Sequence, residues 1–188
     1  MSQPTFTILT RSEVTPELDR RMEKLYQIAF HEDLVEHEPQ TDESEPDASH
    51  AEGNSPLQWF ILGWVDSELV TELALLTREI LVGGQKIQVV GIGGVGTHPD
   101  WRRQGFASAL LRVTEDFIRR EIKVPFGLLV CAPATRPLYE HAGWRYVADQ
   151  LLFEEKGEQH AMDACVMILP LTQKDWPTGV INLCGSSW

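Results

Sequence analysis

Positive charge is scarce in this 188-residue sequence, which has 16 Lys and Arg residues against 28 Asp and Glu residues and a formal net charge of −12. This balance argues against nucleic acid and against anionic membranes as partners, because both attract cationic surfaces. Positive charge is absent from one long stretch, since no Lys or Arg stands between Lys24 and Arg78. A cationic partner is one interpretation of the charge, and solubility alone is the other.

Cysteine is also scarce, and the three cysteines, Cys131, Cys165 and Cys184, follow neither a disulfide framework nor a zinc spacing. We therefore expect a reducing, cytoplasmic setting and no metal. Apolar runs stay well below the length of about 18 residues that a membrane span needs. The first residues lack the basic and apolar regions of a signal peptide. The length and the 43% hydrophobic content predict a single soluble domain, 1–188.

Hydrophobic periodicity predicts an α/β protein whose mixed central sheet has about six to seven strands flanked by helices. Paired strands are expected across two-residue turns at Asp66-Ser67 and Gly83-Gly84. Thr15 and Pro16 are typical of a helix start. The predicted helices cover 16–30, 105–122 and 134–141, and the predicted strands cover 6–9, 57–65, 68–76, 79–82, 85–96, 127–130, 144–148 and 165–169.

An acidic segment, 31–53, interrupts this pattern with nine Asp or Glu residues, two prolines and few apolar groups. It cannot bury enough apolar surface to form a core element. We expect a long surface loop, or an insertion at the edge of a site. Carboxylates that line a cleft concentrate a polycation, which makes Asp33 and Glu36 candidate substrate-binding residues. The alternative is a solvated loop that contacts nothing.

A glycine-rich strand followed by a basic turn and a helix is the most informative stretch. Four glycines between 91 and 96 exceed what a strong strand needs, and glycine in a strand often marks a bulge or a ligand against the backbone. The unpaired N–H groups at a helix N-terminus bind phosphate. Gly105 and Ala107 leave room for such a group, and Arg102 and Arg103 add positive charge. The alternative is an ordinary strand-to-helix turn with two surface arginines.

Two motifs resemble a known family. The pattern Arg102-x-x-Gly105-x-Ala107 resembles the pyrophosphate loop, R/Q-x-x-G-x-G/A, of the acetyl-CoA-dependent N-acetyltransferases of the GNAT superfamily. The stretch from Leu138-Tyr139 to Gly143-Trp144 resembles the L-Y-x-x-x-G-[FW] segment of that family. The resemblance implies the GNAT fold, acetyl-CoA as the acetyl donor, no metal, and an amine as the acceptor.

The resemblance also implies roles for individual residues. Backbone groups of the central strand would bind the pantetheine arm and polarise the thioester carbonyl, and the loop would hold the pyrophosphate. Tyr139 would protonate the departing CoA thiolate, although a buried aromatic that anchors a short helix is the alternative. The implied cofactor-binding residues are Val95, Gly96, Thr97, Arg102, Arg103, Gln104, Gly105, Phe106, Ala107 and Ser108.

A narrower resemblance concerns the acceptor. The glycine-rich strand, Pro99-Asp100-Trp101-Arg102 and the closing Trp188 together resemble the bacterial aminoglycoside 2′-N-acetyltransferases. An apolar run within 180–188 predicts that the tail, 171–188, docks. The resemblance implies that the terminal carboxylate of Trp188 contacts the amino sugar and that Asp163 points at the substrate. Asp163 is thus a candidate catalytic residue, because the amine would be deprotonated through water or by a carboxylate such as Asp163. Two family acids are absent here, because Gly93 and Ser186 occupy their positions. The general base is therefore left open.

Several alternatives stay open at this point. The acceptor is an aminoglycoside-like amine, or else a polyamine, an amino acid or a protein amine. A non-catalytic module that binds acetyl-CoA is a further possibility, and a homodimer is possible. Direct attack in a ternary complex is the expected mechanism, because the sequence offers no clear base beside Cys131 for a covalent route.

Overall fold

The computed structural model describes residues 4–30 and 57–188. The predicted acidic loop, 31–53, with Asp33 and Glu36, lies outside the described residues. Within the described part of the chain, no helix is both long and apolar enough to cross a membrane.

The described residues form three α-helices and ten strands in one sheet, with helices against both of its faces. Thr15 caps the first helix by accepting a hydrogen bond from the Leu18 N–H. The helices are α1 (Pro16–Ala29), α2 (Phe106–Phe117) and α3 (Arg136–His141). The strands are β1 (Thr5–Thr10), β2 (Trp59–Val65), β3 (Glu68–Val82), β4 (Gln85–Thr97), β5 (Phe126–Cys131), β6 (Arg145–Val147), β7 (Leu151–Glu155), β8 (Glu158–Met162), β9 (Cys165–Pro170) and β10 (Ile181–Asn182).

The sheet is mixed, and its centre consists of β3, β4 and β5. The strand order is β6-β9-β5-β4-β3-β10-β7-β8, and β2 pairs with the first half of β3 and with β1. Two pairings are parallel, β4 with β5 and β10 with β7, and the others are antiparallel. The α/β class with a mixed, helix-flanked sheet is therefore confirmed.

Each face of the central sheet buries its own apolar cluster, because side chains alternate along a strand. Val90 and Ile92 of β4 belong to the cluster that contains Leu110 and Leu111 of α2, and we call this side the helix face. Ala74 of β3 packs against α1 on the opposite side of the sheet. We call this opposite side the tail face. The two faces meet different elements, so they are available for different ligands.

The boundaries of several elements differ from the prediction. Residues 68–82 form one continuous strand, because all of them except Val70, which lies at a register shift, pair with β2 or β4. The predicted helix 105–122 is α-helical only to Phe117 and ends in a wider turn, Ile118–Ile122. The two-residue turns are confirmed, with positive φ at Asp66, Ser67, Gly83 and Gly84.

The prediction of about six to seven strands was too low, since the described residues contain ten. The hairpin of β7 and β8 and the two-residue β10 were missed. The sequence Glu-Gln-His-Ala-Met of β8 is exposed at four of its five positions, so it carries no hydrophobic alternation. Strand β10 is too short for any periodic signal.

Candidate active site

Strand β4 bulges and separates from β5 in the glycine-rich stretch. Ala74 pairs with Gly93 and Glu72 pairs with Gly96, so one residue of β3 faces two residues of β4. Gly94, within the bulge, has a φ of 61°, which favours glycine. Strand β5 pairs with β4 only along 89–91 within the described residues. The later part of β4 therefore presents backbone groups to an open wedge between the two strands.

The predicted phosphate loop lies at the N-terminus of α2. Arg103 and the N-cap residue Gly105 have positive φ values, 60° and 85°. Among the described residues, the backbone N–H groups of 103–108 find no acceptor, as expected of the first turn of a helix. This row of free donors at the positive end of a helix suits an anion.

The Arg102 side chain does not extend toward this row. Its guanidinium donates to the backbone oxygen of Thr97 at 3.2 Å and to that of Ala29 at 2.7 Å. It therefore ties the end of α1 to the end of β4. Within the described residues, no ion pair or side-chain hydrogen bond holds Arg103, the other cation of the predicted pair. Whether either arginine contacts phosphate remains a prediction.

A cavity of about 240 Å³ lies between α2 and α3 on the same side of the sheet. It begins at the first turn of α2, where Ser108 was predicted to bind the cofactor, and it includes Arg112, one helical turn further on. The sequence interpretation missed Arg112, although its spacing from Ser108 places both on one helix face. The lining residues are Ser108, Arg112, Glu115, His141 and Ala142.

Tyr139 is buried on the helix face. The side chain is 6% exposed, and its ring meets the edge of the Trp144 ring at a centroid distance of 6.2 Å. Burial, with the nearby Cys131 thiol, raises the pKa of the Tyr139 phenol well above its usual range. The phenol therefore stays protonated at ordinary pH, which a proton donor requires.

The tail covers the tail face of β4. An alanine Cβ built at Gly91 would lie 2.4 Å from Cε2 of Trp188, and one at Gly93 would lie 3.2 Å from its Cδ1. Arg78 Nη1 donates to the Ser186 backbone oxygen at 2.6 Å, and the Arg78 guanidinium lies 5.2 Å from the centre of the Trp188 ring. The two glycines thus form the floor on which the indole rests.

Glu72 is a site residue that the sequence interpretation missed. It is 6% exposed on β3, and its Oε2 is buried without a hydrogen-bond partner among residues 4–30 and 57–188. Burial raises the pKa of the Glu72 carboxyl to about 8, and the negative charge of Glu23 adds to the shift. The available signal was a lone acid inside the otherwise apolar stretch Leu-Val-Thr-Glu-Leu-Ala-Leu-Leu, 69–76.

Asp163 and Cys131 are the other residues that the sequence analysis considered for the chemistry. Asp163 is exposed in the turn between β8 and β9, so its substrate role stays a prediction. Cys131 is 9% exposed at the end of β5, as expected, and burial raises the pKa of its thiol. A raised pKa disfavours the thiolate that a covalent route would use. No group of potential metal ligands occurs among the described residues.

Comparison with known proteins identifies the family. The acetyltransferase (GNAT) domain family matches residues 21–147. The solved structures with this fold include the GNAT family N-acetyltransferase YhbS from Escherichia coli in complex with CoA, at 17% identity and a TM-score of 0.65, covering 97% of this chain and 91% of that one. Escherichia coli ElaA is 18% identical with a TM-score of 0.60, over 89% of this chain and 99% of that one.

A third relative is an acyl-CoA N-acyltransferase from Pseudomonas aeruginosa, 16% identical with a TM-score of 0.60, over 89% of this chain and 99% of that one. The family match covers more than half of the sequence. The chain therefore belongs to the acetyltransferase (GNAT) domain family. It is an N-acetyltransferase, an enzyme that moves an acetyl group from acetyl-CoA to an amine.

The residues present fit acetyl-CoA as the donor. The free N–H row of 103–108 suits the pyrophosphate. The open edge of β4 offers backbone groups to the pantetheine arm. Both features lie at one end of the sheet, because β4 leads into the loop through a single short turn, Pro99–Trp101.

Proposed function

We propose that this enzyme acetylates an amine of a small cationic acceptor, of the aminoglycoside type, by direct attack in a ternary complex. The observation that carries the proposal is the seat of the tail on Gly91 and Gly93. Trp188 lies on the tail face, whereas α2 and its phosphate loop border the helix face. A donor in the β4–β5 wedge and an acceptor beside the tail would then approach β4 from opposite sides.

Charge and shape support a cationic acceptor. The Trp188 indole forms an apolar wall, and aromatic faces bind both sugar rings and cations. The substrate-binding roles of Asp33 and Glu36, in the acidic segment 31–53, are part of this proposal and rest on the sequence alone.

The proposed reaction uses groups of this chain at each step. The amine nitrogen forms a bond to the thioester carbonyl carbon while the C–S bond breaks through a tetrahedral intermediate. Backbone N–H groups of Val95 and Thr97 stabilise the oxyanion, a placement that is usually the largest catalytic contribution. Tyr139 gives its proton to the sulfur, so that CoA leaves as a thiol. The loop 102–108 holds the pyrophosphate and fixes the donor in position.

Removal of Gly185 to Trp188 tests the acceptor side. We expect the KM for a kanamycin-type aminoglycoside to rise about ten- to hundredfold, which corresponds to the loss of one charge-assisted contact. The Kd for acetyl-CoA should stay unchanged, because the donor lies in the wedge. Thiol release gives the rate, and calorimetry gives the Kd.

The acceptor panel includes a polyamine and an amino acid. Equal kinetics of the full-length and the shortened protein would exclude the tail as an acceptor element. Faster turnover of the polyamine or the amino acid than of the aminoglycoside by the full-length chain would replace the proposed acceptor class with that one. The matched control is Val180→Ala, a change at an exposed position of the tail away from the indole.

A further inference from the structure

Glu72 and the tail share one face of the sheet at the bulge of β4. Glu72 and Ala74 are two residues apart on β3, so their side chains point to the same side. Ala74 pairs with Gly93, on which Trp188 rests. The Cα atoms of Glu72 and Ala74 are separated by roughly 7 Å, at about 3.3 Å of rise per residue. Glu72 is therefore about one side-chain length from Ala74, the residue that pairs with Gly93 beneath Trp188.

In the part of the chain that the structure describes, no donor forms a hydrogen bond with Oε2 of Glu72. Glu72 pairs with Leu62 of β2 on one side and with Gly96 of β4 on the other. Met22 and Leu25 of α1 belong to the apolar cluster on the same face. A buried carboxylate oxygen without a partner costs stability. Such a cost is often found at functional sites, where a group is prepared for chemistry.

We propose that Glu72 takes the proton from the acceptor amine. The acceptor ammonium gives H⁺ to a Glu72 carboxylate oxygen, directly or through one water, so that a neutral amine and a carboxylic acid result. The amine lone pair then attacks the thioester, and Tyr139 protonates the leaving sulfur. The nitrogen of the tetrahedral intermediate gives its second proton, through water, to the Tyr139 phenolate, so that the amide and the CoA thiol result and one H⁺ stays on Glu72. Glu72 on β3 thus takes the function of the family acid whose β4 position is occupied here by Gly93. The proposal rests on the amine-acetylating activity and not on which amine is used.

Electrostatics agree with this assignment. The pKa of about 8 lies near working pH, where a general base is most effective. Among the described residues, Glu23 on α1 is the one charged group with a resolved influence on Glu72. Arg21, Lys24, Glu68 and His98 line a separate pocket beside α1, and the Arg21 guanidinium donates to the Ser67 backbone oxygen.

The raised pKa also predicts a pH dependence of stability. In the unfolded chain the Glu72 carboxyl loses its proton near its ordinary value of 4.5, whereas in the folded protein it keeps the proton up to about pH 8. Between these values the folded state binds more protons, so stability falls as pH rises. Glu72→Gln has no carboxyl to titrate, so this decrease of stability with rising pH is absent in the variant. The variant should therefore have a higher Tm than the parent at pH 8, while its activity is lower.

The test is the pH profile of kcat/KM, read as thiol release with the best acceptor of the panel. We expect Glu72→Gln to lose about 100-fold or more of kcat/KM, the range of general base catalysis, and to lose the acidic limb of the profile. Glu23→Gln keeps the base but removes the charge that raises its pKa, so its acidic limb should move to lower pH.

Glu68→Gln is the matched control, since it changes an exposed acid, and Asp163→Asn tests the rival candidate base. Full activity of Glu72→Gln, or an unmoved limb in Glu23→Gln, would overturn the assignment. A lost limb in Asp163→Asn with an intact limb in Glu72→Gln would transfer the role to Asp163. A different best acceptor would contradict only the acceptor class proposed above. A Tm difference that does not change with pH in Glu72→Gln would show that the carboxyl is not buried as described.

Discussion

Gly91→Ala should push the Trp188 indole out of its seat. The new Cβ would lie 2.4, 2.7 and 2.9 Å from Cε2, Cζ2 and Cδ2 of the indole. Non-bonded carbon atoms are normally about 3.5–4.0 Å apart, so the ring must move by roughly 1 Å or more. Gly91 lies on β4 in the centre of the sheet, so the tail is the part that moves.

The size of the effect follows from what the indole contributes. Removing a fully buried tryptophan costs about 3–5 kcal/mol. Trp188 is half-buried, so its removal is expected to cost about 2 kcal/mol. Alanine is more favourable than glycine inside a strand by about 0.5–1 kcal/mol. We therefore expect Gly91→Ala to lower the free energy of unfolding by about 1 kcal/mol.

A double-mutant cycle separates the clash from other effects. With Trp188→Ala as the background, Gly91→Ala has nothing to collide with and should be neutral or slightly stabilising. The coupling energy is then about 1–2 kcal/mol, measured by urea unfolding followed by far-UV circular dichroism. An equal effect of Gly91→Ala in both backgrounds would refute the described seat. The single variant should also raise the KM for the acceptor while its Kd for acetyl-CoA stays constant.

Two further predictions concern the donor side. Gly105→Glu should weaken acetyl-CoA binding at least tenfold by calorimetry, because it places an anion at the free N–H row; Gly105→Ala is the control for the positive φ, and equal affinities of the two variants would mean that the loop binds something else. Tyr139→Phe should keep the acetyl-CoA affinity and lower kcat by about 10²–10⁴-fold, and full activity would leave Tyr139 with a packing role only.

The donor side could be predicted from the sequence because its parts are local. The loop around Gly105 is adjacent in sequence to α2, and the short helix of Tyr139 carries its own motif within a few residues. The tail was expected to dock, because an apolar run near Trp188 needs cover. The sequence showed that Gly91 and Gly93 were unusual in a strand. It did not show that Trp188 packs on them, since Trp188 is nearly 100 residues away.

The acceptor side depends on long-range pairing, which the sequence does not display. Glu72 had no motif around it, and only the burial of β3 under α1 separates it from a surface acid. The bulge that opposes Glu72 to Gly96 is set by register across two strands. Arg78 likewise appeared as an ordinary charge until the fold placed it against Ser186.

A strand of two residues, β10, connects the hairpin of β7 and β8 to the centre of the sheet in the described part of the chain. The hairpin of β7 and β8 joins β3 through β10, Ile181–Asn182. Backbone bonds from Leu183 to Leu152 and from Glu154 to Gly185 extend this contact into the tail. Opening of the tail and opening of the hairpin are therefore one event, so that an acceptor bound against Trp188 would also slow amide hydrogen exchange along β7.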